Sequence, residues 1–222
     1  MNQRVSWPHF ITVFSFLIIF IFLSLWSLSW SEELYRLILS EEGLVETISA
    51  LGYFLCIGLL FYMAGKSSLN NYWYVYLIFL AMGLRELDFD KRFTATGIFK
   101  SKFILANDVS VLEKFVGIAV ILLILYSVYI LVIRHFKAFL KGLAALNLRS
   151  YVVFLALAIA VISKTLDGLA RKLLSFGIYI DDSLSLFTSR LEEILELGIP
   201  LAFLCAIYLY FYDRRRSGSK LI

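Results

Sequence analysis

The stretch YWYVYLIFLAMGLRELDFDKRF, residues 72–93, decides how this chain is to be read. Residues 72–84 carry no charge, and six ionisable side chains then crowd into 85–92: Arg85, Glu86, Asp88, Asp90, Lys91 and Arg92. A helix needs roughly 20 apolar residues to cross about 30 Å of hydrocarbon. Counted from Tyr72, after the polar turn KSSLNN, such a helix reaches position 91. Arg85, Glu86 and Asp88 then fall within the membrane thickness, and Arg92 emerges at its surface.

The composition supports a membrane reading. The 222 residues are 61% hydrophobic, with a mean hydropathy of +0.84, more apolar surface than one soluble core of this size can bury. Six runs approach or exceed the spanning length: 8–30, 45–65, 72–91, 112–133, 151–170 and 193–213. They lack the period-two alternation of a membrane barrel, and the sequence holds only two prolines, so helices are expected. The expectation is an all-α, polytopic integral membrane protein with six transmembrane helices. It forms a single membrane domain over 1–222, with a basic tail at 214–222.

The charges give the orientation. With the N-terminus inside, the cytoplasmic segments carry Arg4, Lys66, Arg134, Lys137, Lys141, Arg149, Arg214, Arg215, Arg216 and Lys220 against the single acid Asp213. That is ten bases to one acid, whereas the other face holds eleven bases and sixteen acids. The bias follows the positive-inside rule for short loops. Both termini are expected in the cytoplasm, and the membrane is expected to be the plasma (inner) membrane. The RRR tail is a topology signal that also suits anionic lipid, and no nucleic-acid partner is implied. Residues 134–149 read as a basic amphipathic helix on the inner leaflet.

A repeat joins two of the hairpins. RELD at 85–88 and KTLD at 164–167 are each followed four residues later by arginine, Arg92 and Arg171. SVLE at 110–113 and SRLE at 189–192 keep the same offset of 79, as do Tyr72/Tyr151 and Ala81/Ala160. Spans 3–4 and 5–6 are therefore expected to form a parallel repeat. Ser110 and Ser189 would be N-caps within capping boxes. Asp88–Arg92 and Asp167–Arg171 would be i,i+4 pairs.

Charges inside the membrane thickness are costly unless they meet one another or a wet cavity. Glu46, Glu86, Asp88, Asp167 and Glu196 are the candidates for catalytic or binding carboxylates. Arg85, Arg92, Lys164 and Arg171 are the candidates for holding an anion or head group. Glu42 and Glu46, and Glu192, Glu193 and Glu196, recur at three- and four-residue spacing, so each set shares a helix face. Such faces offer oxygen ligands to a divalent cation, Mg²⁺, Ca²⁺ or Mn²⁺. His9 and His135 fall on the opposite side, and Cys56 and Cys205 lie deep in spans as packing residues, which leaves zinc or a Cys-His nucleophile without support.

The long outer loops 92–110 and 171–190 mix aromatic, aliphatic and charged residues and read as interfacial lids or connectors. The expected function is a charged intramembrane pocket at the outer leaflet that binds or processes a lipid or lipid-linked substrate. The alternatives are an ion or proton transport protein and a non-enzymatic accessory subunit of a membrane complex. Membrane lipid is the expected partner, with a second membrane protein as a further one.

Overall fold

The computed structural model describes residues 18–19, 22–23, 25–39, 43–89, 97–98, 103 and 109–216, apart from the side chains of 32, 36 and 213–216. The expected first span, 8–30, and the end of the basic tail, 217–222, lie wholly or largely outside these residues. Every regular element among the described residues is helical: α1 (Glu32–Leu39), α2 (Leu44–Ala64), α3 (Ser68–Asn71), α4 (Trp73–Glu86), α5 (Val111–Ala144), α6 (Leu148–Leu166), α7 (Leu169–Ser175) and α8 (Asp182–Arg216). Four helical runs are long and apolar enough to cross a membrane: Glu33–Ala64, which contains α2, then α5, α6, and Asp182–Tyr212 of α8.

Several bounds differ from the sequence reading. The 14 residues of α4 rise only about 21 Å, so the helix expected over 72–91 stops at Glu86, short of the roughly 30 Å of hydrocarbon. Beyond Leu87, Asp88 takes a left-handed φ of 48°, and its N–H bonds the Arg85 carbonyl at 2.9 Å, which closes the helix. The fifth span ends at Leu166 rather than 170, because Gly168 adopts φ 58°, ψ 31°, a conformation open to glycine at little cost. Asp167 and Arg171 are thus on either side of a helix break, and no continuous helix carries them as an i,i+4 pair.

Residues 134–144 are not a separate surface helix. They continue α5, which reaches 34 residues and about 51 Å, longer than the hydrocarbon core. The chain then turns through Leu146, at φ 53°, and the Asn147 side chain accepts from the Arg149 N–H at 3.1 Å to start α6.

The sixth span starts eleven residues before the expected 193, at Asp182. Ser189 therefore sits two turns inside α8 and caps nothing. Asp181 takes that place, with its carboxylate accepting from both the N–H and the hydroxyl of Ser183. The Ser183 hydroxyl, then its N–H, holds the Asp181 carboxyl below the usual aspartate range. Ser110 does behave as expected, its hydroxyl accepting from the Glu113 N–H at 3.2 Å at the start of α5.

The long helices form a ring in which α6 packs on α8, α8 on α2, α2 on α4, α4 on α5, and α5 back on α6. Tyr53, Cys56, Phe79, Ile159, Ile194 and Ile199 meet in its interior. Pro200 lies in the middle of α8 and removes the N–H that the Glu196 carbonyl would accept in an unbroken helix. The Pro200 carbonyl itself accepts from the Cys56 thiol at 3.6 Å, which ties α8 to α2. Cys56 is packed as expected, whereas Cys205 is exposed. Near the start of α4, the Tyr74 hydroxyl bonds His135 Nε2 at 2.7 Å, and the Arg134 guanidinium lies 5.4 Å from the Tyr74 ring. This fastens α4 to α5.

The outside of the ring is apolar. In α5 only Gly117 and Ser127 are buried, while Leu122, Leu125, Tyr129 and Ile133 are exposed. Leaving such side chains in water forgoes about 1.5–3 kcal/mol each. A hydrocarbon surrounding removes that penalty.

Candidate functional site

The helix order brings one end of every long helix to the same side. This end holds the first turns of α2 and α5, the last turns of α4 and α6, and the first third of α8. Most of the charged residues singled out in the sequence are found there.

Glu46 is half-buried in the first turn of α2. Glu86, the last residue of α4, is half-buried within electrostatic reach of Glu196, Arg85, Glu46 and Lys164. Glu193 lies within reach of Glu196, Glu46, Glu192 and Glu86, and Glu192 within reach of Asp167, Glu196 and Lys164. Across the helices, the Ser163 hydroxyl of α6 donates to Glu196 Oε1 of α8 at 3.1 Å. Ser163 is 1% exposed, so the carboxylate is anchored from inside the ring. Tyr53, also 1% exposed, lies within reach of Glu86 and Glu196. Ser49, one turn before Tyr53 on α2, is fully buried with no hydrogen-bond partner for its hydroxyl.

The remaining candidates are more peripheral. Asp88 is half-buried just beyond α4. Lys164 pairs with Asp167, and this Lys164 hydrogen bond holds the Asp167 carboxyl below the usual aspartate range despite some burial. The Arg171 guanidinium folds back over Gly168, where an added Cβ would meet its Nη2 at 2.8 Å. Glu42 and Arg92 lie outside the described residues. Among the described residues no three His, Cys, Asp or Glu side chains form a group able to hold a metal ion. Glu46, Glu192, Glu193 and Glu196 lie within electrostatic reach of one another about Glu193.

A buried base escaped the sequence reading. Arg190 of α8 is 7% exposed; its Nη1 donates to the Ser27 carbonyl, and its guanidinium lies 4.7 Å from the Tyr35 ring. Its Nε has no partner. Arg190 pins α1 and the segment before it to α8. The available signal was a base within SRLE, two positions before Glu192. Starting the sixth span at 193 put that base outside the membrane.

The second element of the site is a groove. Between α4 and α5 lies a cavity of about 490 Å³, within the roughly 300–1,000 Å³ usual for ligand pockets. Leu80, Ala81 and Leu84 of α4 face Val116, Val120 and Ile124 of α5 across it. Its ionisable lining residues, among those described, are Arg85 and Glu113, both at the charged end. Each also suits its helix terminus: a base ends α4 and an acid begins α5, as the helix dipole favours. Phe89 and Ile98 line the same end.

Ile98 and Phe103, described residues between α4 and α5, cover α5 nearby. Phe103 is fully buried against Gly117, where an added Cβ would stand 2.5 Å from the Phe103 ring and 3.2 Å from Ile98. Only glycine permits that approach. Of the other loop, 171–190, the second half is the start of α8, while Phe176 and Tyr179 are exposed beside α7.

No protein-family model, curated protein or solved structure matches this chain.

Proposed function

We propose that this chain is a six-span integral protein of the plasma membrane, with both termini in the cytoplasm, that binds a lipid or lipid-linked molecule at its outer end. The observation that carries this reading is the α4–α5 groove: an apolar slot of about 490 Å³ whose lining includes an exposed base, Arg85. An acyl or isoprenoid chain fits along Leu80, Val116 and Val120, and a head group then lies against Arg85. Charge-assisted bonds from arginine to phosphate oxygens are the strong, directional kind.

The half-buried carboxylates Glu46, Glu86, Glu193 and Glu196, with Ser163 and Tyr53, make a polar interior next to this mouth. In this reading they form a carboxylate cluster that faces the head group rather than the chain. The four spanning runs are joined by α4 and by the first span to reach six. The hairpin repeat is supported by RELD and KTLD closing α4 and α6 at the same end of the ring. It is weakened by Ser110, which starts a helix, and Ser189, which does not. The single membrane domain over 1–222 and its basic tail at 214–222 belong to the same proposal.

The test is lipid retention. The full chain is purified in a mild detergent that strips loosely held lipid, and bound lipid is extracted and identified by mass spectrometry. Wild type is expected to retain lipid, and Ala81→Phe, which fills the groove, is expected to lose it with its folding intact. Equal retention by both proteins, or none by wild type, sinks the reading.

A further inference from the structure

Two opposite charges stand at the mouth of the groove, and together they describe its ligand more closely than either alone. Arg85 comes from the last turn of α4 and Glu113 from the first turn of α5, and both line the same cavity. The walls leading away from them are aliphatic on both helices. A basic and an acidic residue at one end of an otherwise apolar lining complement a molecule with an anion and a cation at the end of a hydrocarbon chain. Resting on the lipid-binding reading above, we infer that the groove takes a phospholipid whose head group carries a primary ammonium, with its phosphate on Arg85 and its ammonium on Glu113.

The choice of ammonium follows from the lining. A primary ammonium offers three N–H donors, which a carboxylate accepts. A quaternary ammonium offers none and is recognised by aromatic cages. Phe89 is the one aromatic among the described lining residues, and the Glu113 carboxylate favours a head group that can donate to it. An anionic head group without an amine would satisfy Arg85 while setting its negative charge beside Glu113, so it is disfavoured. Glu86, within electrostatic reach of Arg85, adds to the preference for a cation.

The site is also placed where such a head group would be. Arg85 closes α4 and Glu113 opens α5, both at the end of the ring where apolar helix surface gives way to charged residues. From Leu77 to Arg85 along α4 is eight residues, and from Leu112 to Ile124 along α5 is twelve. At about 1.5 Å per residue, the slot runs about 12–18 Å into the apolar zone. That depth holds much of one acyl chain with its head group still at the surface.

The experiment uses the full chain in phosphatidylcholine nanodiscs. Each is doped with a trace of phosphatidylethanolamine, phosphatidylglycerol or phosphatidylcholine bearing the same photoactivatable acyl chain. Adducts are then mapped to α4 and α5 by peptide mass spectrometry. The ethanolamine lipid is expected to label the groove about tenfold more than the other two, a ratio equivalent to about 1.4 kcal/mol. Glu113→Gln is expected to bring it down to the level of the others. Glutamine can still serve the capping position beside Ser110, so α5 keeps its start. Arg85→Ala is expected to lower all three.

Equal labelling by the three lipids, a preference for phosphatidylglycerol, or an ethanolamine preference that survives Glu113→Gln overturns the inference while leaving groove binding intact. Absence of groove adducts from every lipid overturns the inference and the lipid-binding reading together.

Discussion

Replacing Arg190 by alanine tests how the charged end of the ring is held together. In the native arrangement the guanidinium is 7% exposed, donates to the Ser27 carbonyl and lies 4.7 Å from the Tyr35 ring. A hydrogen bond from a charged donor contributes about 1.5–3 kcal/mol, and a desolvated cation–π contact about 2 kcal/mol. Against these stands the unpartnered Nε, whose burial costs about 1–3 kcal/mol. The balance is a net loss of about 0.5–4 kcal/mol for Arg190→Ala, centred on about 2 kcal/mol, a large single-residue effect. By the scaling for domains of this size, melting should fall on the order of 5–10 °C.

The assay is thermal unfolding in detergent, followed by tryptophan fluorescence. Trp26 and Trp30 stack edge to face, 5.9 Å apart, in the segment that Arg190 pins. Tyr35→Leu keeps most of the apolar contact and removes the π face. The Arg190→Ala/Tyr35→Leu cycle should therefore show a coupling of about 0.5–2 kcal/mol. Unchanged melting in Arg190→Ala, or strictly additive effects in the cycle, would refute the reasoning.

Three further outcomes are expected. Gly117→Ala places a Cβ 2.5 Å from the Phe103 ring; overpacking of about 1–3 kcal/mol should exceed the roughly 1 kcal/mol gained in helix propensity, and hydrogen exchange of the peptide bearing Ile98 and Phe103 should speed up. Ser163→Ala removes the bond to Glu196 and should cost only about 0.6 kcal/mol, the mean for such bonds between membrane helices, measured by unfolding in bicelles; a loss several times larger would show that Glu196 depends on it. The Lys164 bond holds Asp167 below its ordinary value of 3.8, so the pair's contribution is present above that pH and is lost as pH falls through the lower folded value. Asp167→Asn should flatten the acid limb of melting temperature against pH, by a small amount that salt reduces because the pair is largely exposed; identical acid limbs would contradict this.

The helical class was plain in the sequence because hydropathy runs such as 112–133 cannot be buried in a soluble core of this size. Helix ends were less legible. The α5 hydrogen-bond ladder continues through 134–144 since basic residues with regular spacing are good helix formers, whatever surrounds them. The start of α8 hid behind the polar residues 182–192, which read as loop by hydropathy although Asp181 and Ser183 form a cap. Among site residues, Glu46, Glu86 and Glu196 stood out as charges in apolar runs and lie at one end of the ring. Ser163, Ser49 and Tyr53 did not stand out, because neutral residues at helical spacing look like any core position. The groove left no local trace, since its existence depends on how α4 and α5 diverge. Gly117 marks only the place where Phe103 comes down beside it.

The most direct test of the account is an electron-microscopy map of the full chain in lipid nanodiscs, at a resolution that separates side chains. The account predicts elongated density between α4 and α5, with its bulkier end against Arg85 and Glu113. A groove closed by its own side chains, or density there that bypasses Arg85, would contradict it.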